Sequence, residues 1–276
     1  MTTWPGPNRR DGLVSHTVVG QGDPVVLLHG LGGDRHQALG LLPADAPLQR
    51  IVPEMPGHGA TDLLDHEPVS FPYFAALVAD LLDTLAAADR CTTPVTVAGV
   101  SMGAGVALAL AAQRPDLVER MVLIRPSWLD VSPAPNLAVF ETVAGLLGRR
   151  GPIAGKDAYQ KTATHRELEH HAPAMALSVL GQFTRPNAVA HARVLAEMPH
   201  SLPLPDRDSY KRLRVPALVL VAPHDPVHAE QIGSTIASWL PRASLDTVPR
   251  KHVDSTEHDL AIKKRLTQYL TKQFEG

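Results

Sequence analysis

The sequence predicts an α/β protein with a mostly parallel, twisted sheet, covered by helices and interrupted by a helical insertion. Short apolar runs alternate with helical patterns on both sides of a break at roughly residues 126–210. The break holds helical patterns and many prolines but no convincing strand. Between an apolar run and an Ala/Leu-rich run lies Gly99-Val100-Ser101-Met102-Gly103, which also points to an active site.

Four strands and two helices are expected before the break. Apolar runs that are apolar on both faces indicate buried strands. The predicted strands are PVVLLHG (24–30), QRIVPEMPGHG (49–59), TPVTVAG (93–99) and VERMVLI (118–124). The helix predicted at 70–88 has Ser70 as its N-cap, and the helix at 101–115 ends at Pro115.

After the break, strands are expected at 215–223 and 243–249, with a helix at 229–240 between them. A last helix is expected at 255–274, with Ser255 or Thr256 as its N-cap. The predicted domains are therefore a core of residues 1–125 and 211–276, and a helical cap of residues 126–210.

Composition excludes some partners. The formal net charge is −2 and the pI is about 6.7, which gives no electrostatic reason to expect nucleic acid or an acidic membrane as partner. The single cysteine, Cys91, fits a reducing compartment. No apolar run approaches about 18 residues and no signal-peptide pattern follows the start, so we expect a cytoplasmic protein.

Ser101 is the candidate nucleophile. A sharp turn from strand to helix leaves no room for Cβ atoms, which explains the glycines at 99 and 103. The serine would project at the carboxyl end of its strand, where α/β sheets place their sites. The helix that follows would favour developing negative charge with its N-terminal N–H groups. The alternative is that these small residues only form a tight turn and take no part in catalysis.

The chain resembles the α/β-hydrolase superfamily over nearly its full length. The matching stretches, in the family's order, are VVLLHGLGG (25–33), PGHGATD (56–62), GVSMG (99–103), PHDPVH (223–228) and KHVDSTEH (251–258). Within that superfamily the chain looks like the small capped esterases, lactonases and carbon–carbon bond hydrolases. The resemblance implies an α/β-hydrolase fold whose helical cap is inserted after the sixth strand.

The resemblance also implies a triad in the order serine, acid, histidine. Asp225 directly follows a predicted strand and is the expected acid, although Ala222 stands where the family usually has glycine. His252, in the loop before the last helix, is the expected base, and Lys251 precedes it where glycine is common. His258, six residues further on, is the alternative base.

Two backbone N–H groups are expected to form the oxyanion hole, those of Met102 and Leu31. His29 is expected to support the loop after the first strand rather than to take part in chemistry. An apolar, small to medium acyl substrate is expected, with no cofactor and no metal. The residues proposed to bind it are Gly30, Trp128, Phe140, Met175 and Phe183.

Competing interpretations are weaker. A dinucleotide site lacks the third glycine of its motif, since Arg35 stands in that place. The histidines near 165–171 and 224–228 form no known metal framework. The same triad could serve ester, lactone, thioester or carbon–carbon cleavage, or acyl transfer, and a non-catalytic binding protein on this fold is a further alternative.

Overall fold

A seven-stranded sheet is the centre of the protein, seen in a computed structural model that describes residues 14–251 and 253–271. The strands are β1 (His16–Val19), β2 (Asp23–Leu28), β3 (Leu48–Pro53), β4 (Val95–Val100), β5 (Val118–Ile124), β6 (Ala217–Val221) and β7 (Ala243–Thr247). Their order is β1-β3-β2-β4-β5-β6-β7, and all neighbouring pairs are parallel except β1 with β3. The predicted mostly parallel sheet is confirmed, and β4 is its middle strand.

Ten helices accompany the sheet in the described part of the chain. They are α1 (Arg35–Leu39), α2 (Phe71–Ala87), α3 (Met102–Gln113), α4 (Ala138–Gln160), α5 (Ala163–His171), α6 (Pro173–Gly181), α7 (Ala192–Glu197), α8 (Arg207–Arg212), α9 (Glu230–Trp239) and α10 (Ser255–Thr271). Short 3₁₀ turns lie at Pro135–Leu137 and Met198–His200. All helices predicted outside the break are present.

Alternation along the strands divides the core between the two faces of the sheet. Val26 and Leu28 of β2 pack into the cluster that contains α2 and α3. Val25 and Leu27, one position away, pack into the cluster that contains apolar residues of α1 and α10. Because successive side chains of a strand point to opposite faces, a strand that is apolar throughout is covered on both sides.

N-cap residues were predicted for two helices, and only that of α2 is confirmed. The Ser70 hydroxyl accepts a hydrogen bond from the Tyr73 N–H, as an N-cap does. Helix α10 begins at Ser255 as expected, but its capping side chain differs, because Asp254 Oδ1 accepts from the Glu257 N–H at 2.9 Å. The cap of α10 is therefore Asp254, which has a stronger acceptor than the predicted Ser255 or Thr256. The predicted end of this helix, residues 272–274, lies outside the described residues.

The helical insertion lies between β5 and β6 and holds α4 to α8. Helix α4 is broken at Gly151, whose φ is +71°, and Pro152 follows. The insertion was expected after the sixth strand, but in the described chain it follows the fifth. The count is lower by one because a single strand, β1, precedes β2 there. The division into a core of 1–125 and 211–276 and a cap of 126–210 stays a prediction.

Gly103 allows α3 to lie directly on β2. A Cβ at this position would stand 2.4 Å from the Leu28 carbonyl oxygen, which is backbone and cannot move aside easily. We expect Gly103→Ala to lower the free energy of unfolding by about 1–3 kcal/mol or more, measured by urea denaturation. Gly148→Ala is the matched control, since its added Cβ meets nothing within 4 Å in α4. Equal stability of the Gly103 variant and the wild type would contradict this packing.

Candidate active site

Ser101 occupies a strained turn between β4 and α3. Its φ is +55° and its ψ is −112°, which is rare for a residue with a side chain. The Ser101 N–H donates to the Ile124 carbonyl at 2.9 Å, so the end of β5 holds the turn in place. A Cβ on Gly99 would stand 2.2 Å from the Gly103 carbonyl, so the turn requires glycine there. The Ser101 hydroxyl is nearly buried and lies 3.4 Å from the Ser127 hydroxyl.

The loop of residues 30–33 runs beside this serine, and most of its N–H groups are already in use. The Gly30 N–H donates to Gln37 Oε1 at 2.7 Å. The Gly32 N–H donates to His58 Nε2 at 2.9 Å, and the Gly33 N–H donates to the Gly30 carbonyl at 2.9 Å. These bonds fix the loop in one conformation.

Leu31 is the remaining member of this loop. Across the described ranges 14–251 and 253–271, neither its N–H nor that of Met102 has a hydrogen-bond partner. Both donors belong to backbone near the serine, because Leu31 follows Gly30, whose added Cβ would lie 3.4 Å from the Ser101 Cβ, and Met102 follows Ser101. Two free backbone donors beside a serine hydroxyl can stabilise an oxyanion.

The buried side chains of His29 and His58 hold the loop of residues 30–33 in place by hydrogen bonds to its backbone. His29 Nδ1 donates to the Gly30 carbonyl at 2.9 Å, and its Nε2 accepts from the Met55 N–H at 3.0 Å. His58 accepts from Gly32 with Nε2, and its Nδ1 donates to a backbone carbonyl at 3.0 Å. Burial lowers the pKa of His29 and holds that of His58 well below its usual value. Both rings are therefore neutral at pH 7, each with the proton on Nδ1.

Asp225 follows β6, and both of its carboxylate oxygens have partners among the described residues. Its Oδ1 accepts from the N–H groups of Val227 and His228, each at 3.0 Å. Its Oδ2 forms an ion pair with Arg125 and lies 3.0 Å from His228 Nδ1. Arg125 stands at the end of β5, with φ +48°, and its guanidinium is buried. The structure thus joins the predicted acid to a cation that the sequence analysis did not single out.

The charges in this cluster follow from burial. Burial opposes ionisation of Asp225, but its contacts with His228 and Arg125 hold the pKa of the carboxyl far below its usual range. Burial, together with the Arg125 charge, lowers the pKa of His228 to about 4. His228 is therefore uncharged at neutral pH, and Arg125 supplies the positive charge that keeps Asp225 ionised.

Of the two candidate bases, only His258 is among the residues that the structure describes. His252, the predicted base, lies outside the described residues. His258 is buried in the first turn of α10, and its Nδ1 donates to the Pro249 carbonyl at 2.6 Å. Its Nε2 has no partner among residues 14–251 and 253–271, and so it makes no hydrogen bond with Ser101 or Asp225. Burial lowers the pKa of His258.

The predicted substrate-binding residues divide into two groups. Gly30 lies against Ser101, and Met175 lines a small cavity together with Asp225. Trp128 is buried edge-on against Phe71, and its Nε1 donates to the Met198 carbonyl. Phe183 is buried against Tyr159 within the insertion, and Phe140 is buried in the same apolar cluster. Substrate contact by these five residues stays a prediction.

Sequence reasoning missed several polar residues around the site. Arg125 directly follows an apolar strand, and a charged residue at that strand end was a usable signal. Gln182, from the insertion, is buried against Gly32, where an added Cβ would stand 1.9 Å from its Oε1. That oxygen has no partner in the described part of the chain. No sequence pattern indicated this contact.

Among the described residues, no group of three or more His, Cys, Asp or Glu side chains is placed to hold a metal ion. Within the same residues, no helix is both long enough and apolar enough to cross a membrane.

The buried His228 predicts acid sensitivity. Its pKa is about 4 in the folded protein and near 6.5 when unfolded, so the unfolded chain binds more protons between these values. Stability should fall as the pH drops from 6.5 toward 4, by about 3 kcal/mol from this residue alone. Urea denaturation of wild type and His228→Gln between pH 7.5 and 4.5 measures this, with the variant less pH-dependent.

The exposed His36 provides the control for that measurement. His36→Gln should keep the wild-type dependence on pH. If His228→Gln loses stability on acidification as steeply as the wild type, the assignment of a buried neutral His228 is wrong.

Comparison with known protein families agrees with the fold and with the turn at Ser101. The profile of the alpha/beta hydrolase fold family matches residues 23–262. That match covers most of the chain, so the chain belongs to this family.

Individual relatives are more distant. A pyrrolizixenacetamide deacetylase from Xenorhabdus hominickii is 35% identical over 117 residues, which are 41% of this chain and 41% of that protein. The (E)-2-((N-methylformamido)methylene)succinate hydrolase of Acinetobacter baylyi is 26% identical over 222 residues, 75% of this chain and 74% of that protein. The crystal structure of the enol-lactonase from Burkholderia xenovorans LB400 superposes with a TM-score of 0.68. It is 22% identical and covers 94% of this chain and 96% of that one, which is a likeness of fold.

Proposed function

We propose that this protein is a cofactor-free serine hydrolase. It cleaves a carboxylic ester, lactone or related acyl bond of a small to medium substrate through an acyl-enzyme. The observation that carries the proposal is the strained Ser101, close to Gly30, together with the N–H groups of Leu31 and Met102 that have no partner in the described part of the chain. Relatives named a deacetylase and a hydrolase support acyl-bond cleavage as the general reaction.

In the proposed mechanism, the Ser101 hydroxyl attacks the carbonyl carbon of the substrate. His252 accepts the hydroxyl proton and later donates it to the leaving group. The Leu31 and Met102 N–H groups bind the oxyanion of the tetrahedral intermediate, each contributing about 3 kcal/mol of transition-state stabilisation. Water activated by His252 then releases the acyl group from Ser101.

Asp225 is the proposed acid that orients His252 and stabilises its protonated form. Its ionisation is secured by Arg125 and by the two N–H groups on Oδ1. The same contacts hold the carboxylate in a fixed position at the end of β6. Arg125 therefore acts as a positioning residue for the acid.

A substrate panel tests the reaction class. The panel contains p-nitrophenyl esters of increasing chain length, γ- and δ-lactones, and acyl thioesters, each compared with heat-unfolded protein. We expect turnover of at least the esters or lactones, with short apolar acyl groups preferred. Turnover of none of these substrates by the folded protein would contradict the proposal.

Addition of methanol to the same reactions distinguishes hydrolysis from acyl transfer. A hydrolase releases mainly the free acid, because water is the nucleophile that enters the site. Formation of methyl ester as the main product at low methanol concentration would favour the acyltransferase alternative.

A further inference from the structure

Ser127 lies beside Ser101, and the proposed mechanism does not use it. Its side chain is fully buried, and its hydroxyl oxygen is 3.4 Å from that of Ser101. In the part of the chain that the structure describes, this is the one hydrogen-bond contact of the Ser127 hydroxyl. The distance is long for a bond between two hydroxyl groups, as bonds at active sites often are before substrate binds. Ser127 thus places a buried hydroxyl group next to the reacting oxygen.

The backbone around Ser127 is fixed by hydrogen bonds. The chain turns directly after β5 at Arg125, whose φ is +48°. The Ser127 carbonyl accepts from Asn136 Nδ2 at 3.0 Å, and the same amide group donates to the Val227 carbonyl. Asn136 therefore joins the loop that carries Ser127 to the loop that carries the proposed acid. Because β4 and β5 are neighbouring parallel strands, Ser101 and Ser127 leave the same edge of the sheet.

The chemistry of an acyl-enzyme decides which of the two hydroxyl groups donates. A hydroxyl group has one proton to donate and two lone pairs that accept. Once Ser101 carries an acyl group, its Oγ has no proton and can only accept. Ser127 is therefore the donor in the acyl-enzyme, and it keeps its own proton throughout the reaction.

Release of the acyl group makes Ser101 Oγ a leaving group. Water adds to the acyl carbon, and the bond between that carbon and Oγ then breaks. The electron pair of the bond passes to Oγ, which takes a proton from the protonated base of the proposed mechanism. Negative charge develops on Oγ as the bond breaks, and a hydrogen bond to a charged acceptor is about twice as strong as one to a neutral acceptor. Donation from Ser127 therefore stabilises this transition state more than it stabilises the acyl-enzyme.

We propose that Ser127 is a further catalytic residue, which speeds release of the acyl group by donating a hydrogen bond to Ser101 Oγ. Its effect on acylation is smaller, because the contact between the two hydroxyl groups already exists in the free enzyme. The free enzyme therefore gains less from this bond on reaching its transition state than the acyl-enzyme does. This inference rests on the proposed serine hydrolase function and adds a residue to its machinery.

Stopped-flow kinetics of Ser127→Ala separate the two steps. The substrates are p-nitrophenyl butyrate and phenyl butyrate, which form the same acyl-enzyme with different leaving groups. The burst of p-nitrophenol measures acylation, and the steady phase that follows measures deacylation. We expect deacylation to slow by about tenfold and kcat/KM, which reports on acylation, to fall by less than about threefold. Because deacylation then limits turnover, kcat and KM should fall together, and kcat should be equal for the two esters.

Ser132→Ala is the matched control. Ser132 lies in the same connection after β5, its side chain is exposed, and its hydroxyl donates to the His200 carbonyl at 2.7 Å. This variant also loses a serine hydroxyl and its hydrogen bond, but it should keep the wild-type rates of both steps. Urea denaturation of both variants shows whether each is as fully folded as the wild type under the conditions of the assay.

The outcomes separate this inference from the proposed function. If the wild type hydrolyses the esters and Ser127→Ala deacylates at the wild-type rate, the role of Ser127 is overturned and the serine hydrolase stands. An equal loss in deacylation and in kcat/KM would also overturn it, because that pattern indicates a general disturbance of the site. Failure of the wild type to hydrolyse either ester would count against the proposed function itself, and this inference would fall with it.

Discussion

Ser101→Ala is expected to lower kcat/KM for esters by about 10⁴-fold or more, because the nucleophile is lost while substrate binding remains. The fold should persist, since the one hydrogen-bond contact of the hydroxyl among the described residues is the 3.4 Å approach to Ser127. Ester turnover, together with urea denaturation, measures both parts of this prediction.

Ser238→Ala is the control for the serine substitution. Ser238 is exposed on α9, and its hydroxyl bonds only to the Thr235 carbonyl of the same helix in the described part of the chain. This variant should keep wild-type activity. Substantial activity in Ser101→Ala would show that another group attacks the substrate.

The second large loss of activity is expected when the proposed general base, His252, is replaced. His252→Gln is expected to lower kcat/KM by about 10⁴-fold, the scale found when a triad member is removed. His258→Gln should lower it by less than about tenfold, because its Nδ1 is held by the Pro249 carbonyl and no described contact links it to the acid. Its main effect should be on stability.

Parallel measurement of kcat/KM and unfolding free energy for the two variants separates these roles. The pH profile adds a second readout, because the acid limb of activity should be lost with the true base. A larger loss of activity in His258→Gln than in His252→Gln would make His258 the base and overturn the proposed triad.

Most of the fold was predictable because its central strands, such as β4 and β6, are apolar on both faces and are followed by glycine, proline or polar loops. Val26 and Val25 illustrate this, since adjacent residues serve opposite clusters. The short antiparallel β1 was missed, because HTVV carries too little pattern to distinguish a strand from a loop. The N-cap of α10 was assigned to the wrong residue, although the helix begins at Ser255 as expected, since several polar residues in a row can each act as a cap.

The site was predictable only where backbone geometry dictates residue type. The glycines at 99 and 103 indicate a tight turn at Ser101, and the structure gives the steric reason for each of them. The pairing of Arg125 with Asp225 joins residues 100 positions apart, so no local pattern could reveal it. The contact of Gln182 with Gly32 could not be predicted either, because it depends on how the insertion packs on the core.

The identity of the nucleophile is the central claim, and covalent labelling tests it most directly. Wild-type protein is treated with a fluorophosphonate, digested and analysed by mass spectrometry to locate the phosphonylated residue. A single adduct on Ser101, absent from Ser101→Ala, is the result that the proposed mechanism predicts. No adduct on the folded wild type, or equal labelling of Ser101→Ala, would contradict it.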